Sequence, residues 1–122
     1  PSSYRDLDVW KRSKALVLRT YQLTGGFPRR EVFGIAAQMR SAALSVPANI
    51  AEGQGRMGKD GFIRFLRISL SSLAELETYF DIARALAYVS ADESDELLRE
   101  AEEITRMLHG LIASIRRSQS GS

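Results

Sequence analysis

Phe62, Leu66, Ser69, Leu73, Leu76, Phe80, Ala83 and Ala87 follow one another at steps of 4-3-4-3-4-3-4. Small or apolar side chains repeating in this way form one seam along a helix and would be scattered over both faces of a strand. Three further segments carry the same spacing. Leu7, Trp10, Val17 and Tyr21 mark the first, over about 6–23, and Gly25-Gly26 closes it. Val32, Ile35, Met39, Ala43, Val46 and Ile50 mark the second, which Pro28 opens. Leu97, Ala101, Ile104, Leu108, Leu111 and Ile115 mark the fourth, beginning at Asp92 or Ser94 with acids in its first turns, where the helix dipole favours them. No stretch alternates apolar with polar residues for long. The chain is therefore expected to be all-α, an antiparallel up-down-up-down four-helix bundle. Residues 1–117 form one domain and residues 118–122 a frayed tail.

Pro47 lies inside the second segment, where it removes a backbone donor and crowds the carbonyl of Ala43. A kinked helix rather than two helices is expected, because the apolar spacing continues through Ile50. Gln38, Asn49 and Glu52 are polar positions in this helix and are read as partners for backbone groups freed by Pro47 and by the helix end. Gly53 is expected to cap that end, and Asp60 to cap the start of the third helix.

Most catalytic chemistry lacks its residues. The chain has no cysteine and one histidine, His109, preceded three positions earlier by Arg106. A Glu-x-x-His carboxylate metal pair cannot be assembled, and no nucleophile elbow supports a Ser-His-Asp triad. No catalytic, metal or cofactor residue is assigned, and the chain is read as a non-enzyme. Gly53-Gln54-Gly55-Arg56-Met57-Gly58-Lys59-Asp60 imitates both a P-loop and a dinucleotide fingerprint. Neither fits, since both motifs follow a strand and Asp60 stands where a P-loop needs Ser or Thr. No apolar run long enough to span a membrane and no signal-like start is found, so a cytoplasmic location is expected.

Charge is unevenly distributed. Residues 1–67 hold twelve Lys/Arg against five Asp/Glu, and residues 68–122 hold five against ten, within a formal net charge of +2. Either the basic half meets a polyanion, or the two halves pair with each other or across copies. The candidate nucleic-acid contacts are Arg56, Lys59, Arg64 and Arg67 near the glycine turn, with Arg29 and Arg30 at the other end of the second helix. Val9, Leu16 and Leu23 make a second apolar stripe on the first helix, which is read as a self-association surface.

Several stretches carry a resemblance. Leu7-Asp8-Val9-Trp10, Phe27-Pro28 with Glu31, and Gln38-Met39-Arg40-Ser41-Ala42 are three of them. The most specific runs from Ser45 through Pro47, Asn49, Glu52 and Gly53 to Arg56. Phe62-Ile63-Arg64-Phe65-Leu66 and Ser71-Ser72-Leu73-Ala74-Glu75-Leu76-Glu77-Thr78 complete the set. Together they resemble the 23S rRNA intervening-sequence protein family, small four-helix bundles, over about 4–115. The family is in turn similar to the accessory variability determinant of diversity-generating retroelements, a basic homopentamer that binds reverse transcriptase and nucleic acid. The resemblance implies a pentameric ring of bundles and brings no catalytic residue with it. The expected role is a homo-oligomeric adaptor that contacts RNA or an RNA-bearing partner through its basic half. The alternative is a structural or protein–protein interaction module with no nucleic-acid role.

Overall fold

The computed structural model describes residues 3–120. Its four long helices are α1 (Asp8–Thr24), α2 (Ile35–Gln54), α3 (Lys59–Ala85) and α4 (Ala91–Ser120). Short 3-10 turns at Tyr4–Asp6 and Arg29–Glu31 precede α1 and α2. No strand occurs among the described residues. α4 continues past the expected boundary at residue 117, and Gly121 and Ser122 of the expected tail lie outside the described residues.

The helices form a closed ring in which each packs against its neighbours in sequence, α4 returning to α1. Cross-helix pairs run in opposite senses. Arg12 meets Glu100 and Arg19 meets Glu96 between α1 and α4; Lys59 meets Ser118 and Arg84 meets Asp95 between α3 and α4. Between α2 and α3, Ser69 Oγ donates to the Val46 carbonyl and Ser72 Oγ to Ser45 Oγ. Gly53 of α2 lies against Phe62 and Phe65 of α3. These neighbours are therefore antiparallel. The α2–α3 seam is the most extensive and the α1–α4 seam the least.

The α3 seam is buried from Leu66 through Ala83, with Phe80 fully enclosed, while Phe62 is half-buried. Ala87 leaves the seam because α3 ends two residues earlier. It takes a left-handed φ of 62°, and its N–H donates to the Arg84 carbonyl while that of Tyr88 donates to Ala83. This double bond pattern closes a helix end by satisfying carbonyls that have no intrahelical partner. At the start of α4, Glu93 N–H donates to Ser90 Oγ and Ser90 N–H donates to Glu93 Oε1, a reciprocal cap.

Several boundaries differ from the reading of the sequence. α2 starts at Ile35 rather than Pro28, because 28–34 turn through the 3-10 segment, and Val32 is left exposed. Gly58, at φ 93°, occupies the cap of α3, which places Asp60 inside the first turn. Gly55 rather than Gly53 caps α2, while Gly53 is a buried residue of that helix. α2 passes through Pro47 as one helix. Asn49 Nδ2 donates to the carbonyl and Oγ of Ser45, so the side-chain donors near Pro47 serve the Ser45 and Val46 carbonyls. Glu52 instead pairs with Arg56, and Gln38 is exposed.

α1 is covered over a wider face than its first stripe: Val17 is buried and Leu7 and Trp10 pack half-buried against the core, as expected, and the second stripe is covered too. Val9, Ser13, Leu16, Val17, Thr20 and Thr24 are buried, and Tyr21 is exposed. Ser13, Thr20 and Thr24 donate to the carbonyls of Val9, Leu16 and Thr20 at 2.7–2.8 Å. A hydroxyl satisfied by its own helix can enter an apolar core at little cost. Val9 and Leu16 therefore belong to the core of the single chain, Leu16 at 1% exposure, and Leu23 packs half-buried against it. The stripe read as an association surface is not an exposed patch.

Candidate nucleic-acid interface

The four-residue turn between α2 and α3 is tight because two glycines permit it. Gly53 has no side chain where Phe65 Cβ comes within 2.8 Å of a Cβ position, so the helices close directly on one another. Gly58 supplies the positive φ from which α3 starts. The turn therefore projects from the bundle end, and Met57 at its tip is 100% exposed.

Three of the expected basic residues gather here. Arg56 pairs with Glu52 and lays its guanidinium 4.7 Å from the centre of the Phe65 ring, while that of Arg64 lies 5.7 Å from the same ring. Lys59 Nζ donates to Ser118 Oγ at 2.6 Å. Arg67 is exposed on the same helix, about 12 Å further along its axis than Lys59 at a rise of about 1.5 Å per residue. Arg29 and Arg30 are elsewhere. They occupy the 3-10 turn at the opposite end of α2, beside Glu31, which accepts from the Tyr88 hydroxyl at 2.6 Å. That bond holds the tyrosine above its ordinary pKa. The structure thus divides the expected contacts into a group at the α2–α3 end and a pair at the far end.

It also adds members that the split into sequence halves concealed. The Lys59–Ser118 bond brings the last turns of α4, with exposed Arg116 and Arg117, alongside the start of α3. The 3-10 turn carrying Arg5 packs on α2, with the Arg5 guanidinium 4.7 Å from the Tyr4 ring. Along α3, Lys59, Arg64 and Arg67 outnumber Asp60 before Glu75, Glu77 and Asp81 outnumber Arg84; along α4, Asp92, Glu93, Asp95 and Glu96 come first and Arg116 and Arg117 last, with Arg99 and Arg106 among further acids between. Antiparallel packing superposes these gradients, so charge separates between the ends of the bundle. On the flank, Glu77 is held above the ordinary carboxylate pKa by burial and then by Glu102 and Asp81. Arg12 on the α1–α4 seam is raised by its hydrogen bond to Glu100.

Among the described residues, no group of three or more His, Asp or Glu side chains converges as a metal site, and His109 is exposed. No helix of the described chain is long and apolar enough to cross a membrane.

Comparison with known proteins gives the fold from a solved structure and the family from a sequence signature. No curated protein matches the chain. A solved structure from Bacteroides thetaiotaomicron, described as a protein of unknown function from the S23 ribosomal protein family, superposes with a TM-score of 0.77 at 21% identity. The match covers 85% of this chain and 97% of that one, and at this identity it speaks for the fold alone. The sequence signature of the 23S rRNA-intervening sequence protein family matches residues 5–110. With nearly all of the bundle inside that match, the chain belongs to the 23S rRNA-intervening sequence protein family.

Proposed function

We propose that this protein catalyses no reaction and acts in the cytoplasm as a homo-oligomeric bundle that contacts nucleic acid through its basic surface. The observation that carries this reading is the gathering of Arg56, Lys59 and Arg64 at a projecting turn, with Arg67 behind them. Exposed arginines beside a half-buried lysine on a helical end are suited to phosphate groups, whose contacts position a partner without reading its bases. An RNA-bearing partner and a copy number of five belong to this proposal as what a resemblance of the family to the accessory variability determinant would imply. Val9 and Leu16 are excluded from the association surface by their burial, which leaves Leu18 and Tyr21 on α1 and Leu44 on α2 as exposed apolar side chains on adjoining helices.

Those same side chains favour the second reading, a module whose business is protein association alone. Titration with structured RNA and light scattering separate the two. Binding is expected at low salt, weakening by orders of magnitude between about 50 and 200 mM, with a particle mass of several chains. Absence of RNA binding at about 50 μM protein and low salt, with the oligomer intact, would leave the association module. A particle of 13.6 kDa would remove the oligomer.

A further inference from the structure

We infer that the bundle end made by the α2–α3 turn and the last turns of α4 is one contact site for the phosphodiester backbone of nucleic acid, with Arg116 and Arg117 as members and with no readout of base identity. The inference rests on the nucleic-acid reading above and specifies where and how that contact is made.

Three observations carry it. First, the Lys59–Ser118 bond joins residues 59 positions apart, so Arg116 and Arg117 extend the group formed by Arg56, Lys59 and Arg64. Secondly, the first two turns of α3 hold more base than the helix dipole favours, although Asp60 in its first turn and Arg84 in its last have the favourable sign. The N-terminal end of a helix carries a positive partial charge, which favours acids and opposes bases. Lys59 opens α3 and Arg64 follows in its second turn, with Asp60 the acid of the first turn. Bases kept at an unfavourable helix end, beside bases from another helix, are accounted for by an external anion. Thirdly, Arg56 and Arg64 both lie over the Phe65 ring, and the neighbouring Phe62 is half-buried against Gly53. A ring engaged in this way offers no free platform for base stacking, the usual aromatic route to single-strand binding. Met57, exposed at the tip, has no π face. What remains is charge, and charge on a projecting end meets the backbone.

Arg29 and Arg30 fall outside the site. They lie at the opposite end with Glu31, and the acid-rich start of α4 is joined to that same end through the α3–α4 turn, where Tyr88 bonds Glu31.

The test uses the full chain and two fluorescently labelled RNAs of equal length, equal secondary structure and unrelated sequence, titrated at several salt concentrations between about 50 and 200 mM. Wild type is expected to bind both within about threefold of each other. Arg116→Gln/Arg117→Gln should weaken both equally and reduce the slope of log K against log salt by about 2, one for each lost phosphate contact. Arg29→Gln/Arg30→Gln should leave the slope unchanged. All four substituted positions are exposed arginines, and circular dichroism checks that each variant retains its helices. An unchanged slope in Arg116→Gln/Arg117→Gln, or a preference of more than about tenfold between the RNAs, overturns the inference while leaving nucleic-acid binding in place. Failure of wild type to bind either RNA refutes the functional reading itself.

Discussion

Phe80→Ala is expected to destabilise the bundle by about 3–5 kcal/mol, the range for truncating a buried aromatic side chain. Phe80 has 0% exposure and lies in the α3 seam within the common hydrophobic core. Alanine would leave a cavity that close-packed neighbours can only partly fill. A domain of this size has about 5–15 kcal/mol in total, so the loss removes a large share of it. Phe33→Ala provides the contrast. Its side chain is 94% exposed, and the change should stay within about 0.5 kcal/mol. Urea unfolding of both variants, with the denaturant slope unchanged, separates a core truncation from a change in the unfolded chain. Equal midpoints for the two would contradict the burial of the α3 seam.

Gly53→Val should cost about 1–3 kcal/mol, although valine is a better helix former than glycine. The added Cβ would stand 2.8 Å from Phe65 Cβ and 3.1 Å from the Phe62 carbonyl oxygen. Neither atom can swing aside as a side-chain tip would, so α2 and α3 must separate along their closest seam. Phe65 would move with them, and with it the ring that Arg56 and Arg64 share. The variant should therefore lose both thermal stability and RNA affinity. Gly55→Ala serves as a control, since the nearest atoms to its added Cβ are at an ordinary 3.7 Å. A Gly53→Val protein as stable as wild type would show that the two helices are not held this close.

The bundle is legible in the sequence because its strongest signal, the alternation of threes and fours, is what helix burial requires. Met39, Val46, Ile50, Leu66, Leu73, Leu76 and Leu108 all lie in the core as their spacing suggests. α1 misleads for a definite reason. Its buried face includes Ser13, Thr20 and Thr24, which a hydrophobic scale counts as polar but which satisfy themselves on the preceding turn. Apolar spacing alone gives two separate stripes on α1, and these hydroxyl residues lie between them and join them into one covered face.

The candidate site shows a similar division. Arg56, Lys59 and Arg64 are close in sequence, so their clustering could be anticipated. Arg116 and Arg117 could not be joined to them without the direction of α4 and its register against α3. Their signal lies in the opposed charge gradients of two antiparallel helices, which counting charge by halves of the chain averages away. Gly53 shows the same dependence on register. A glycine near a helix end reads as a cap, and only the facing helix reveals that close approach requires it.

Hydrogen–deuterium exchange with and without structured RNA tests most directly whether the bundle gathers its cations at one end for a polyanion. RNA is expected to slow exchange in 53–67 and 112–118 together, and to leave 27–34 unchanged. Protection confined to 27–34, or protection of 53–67 with none in 112–118, would contradict it.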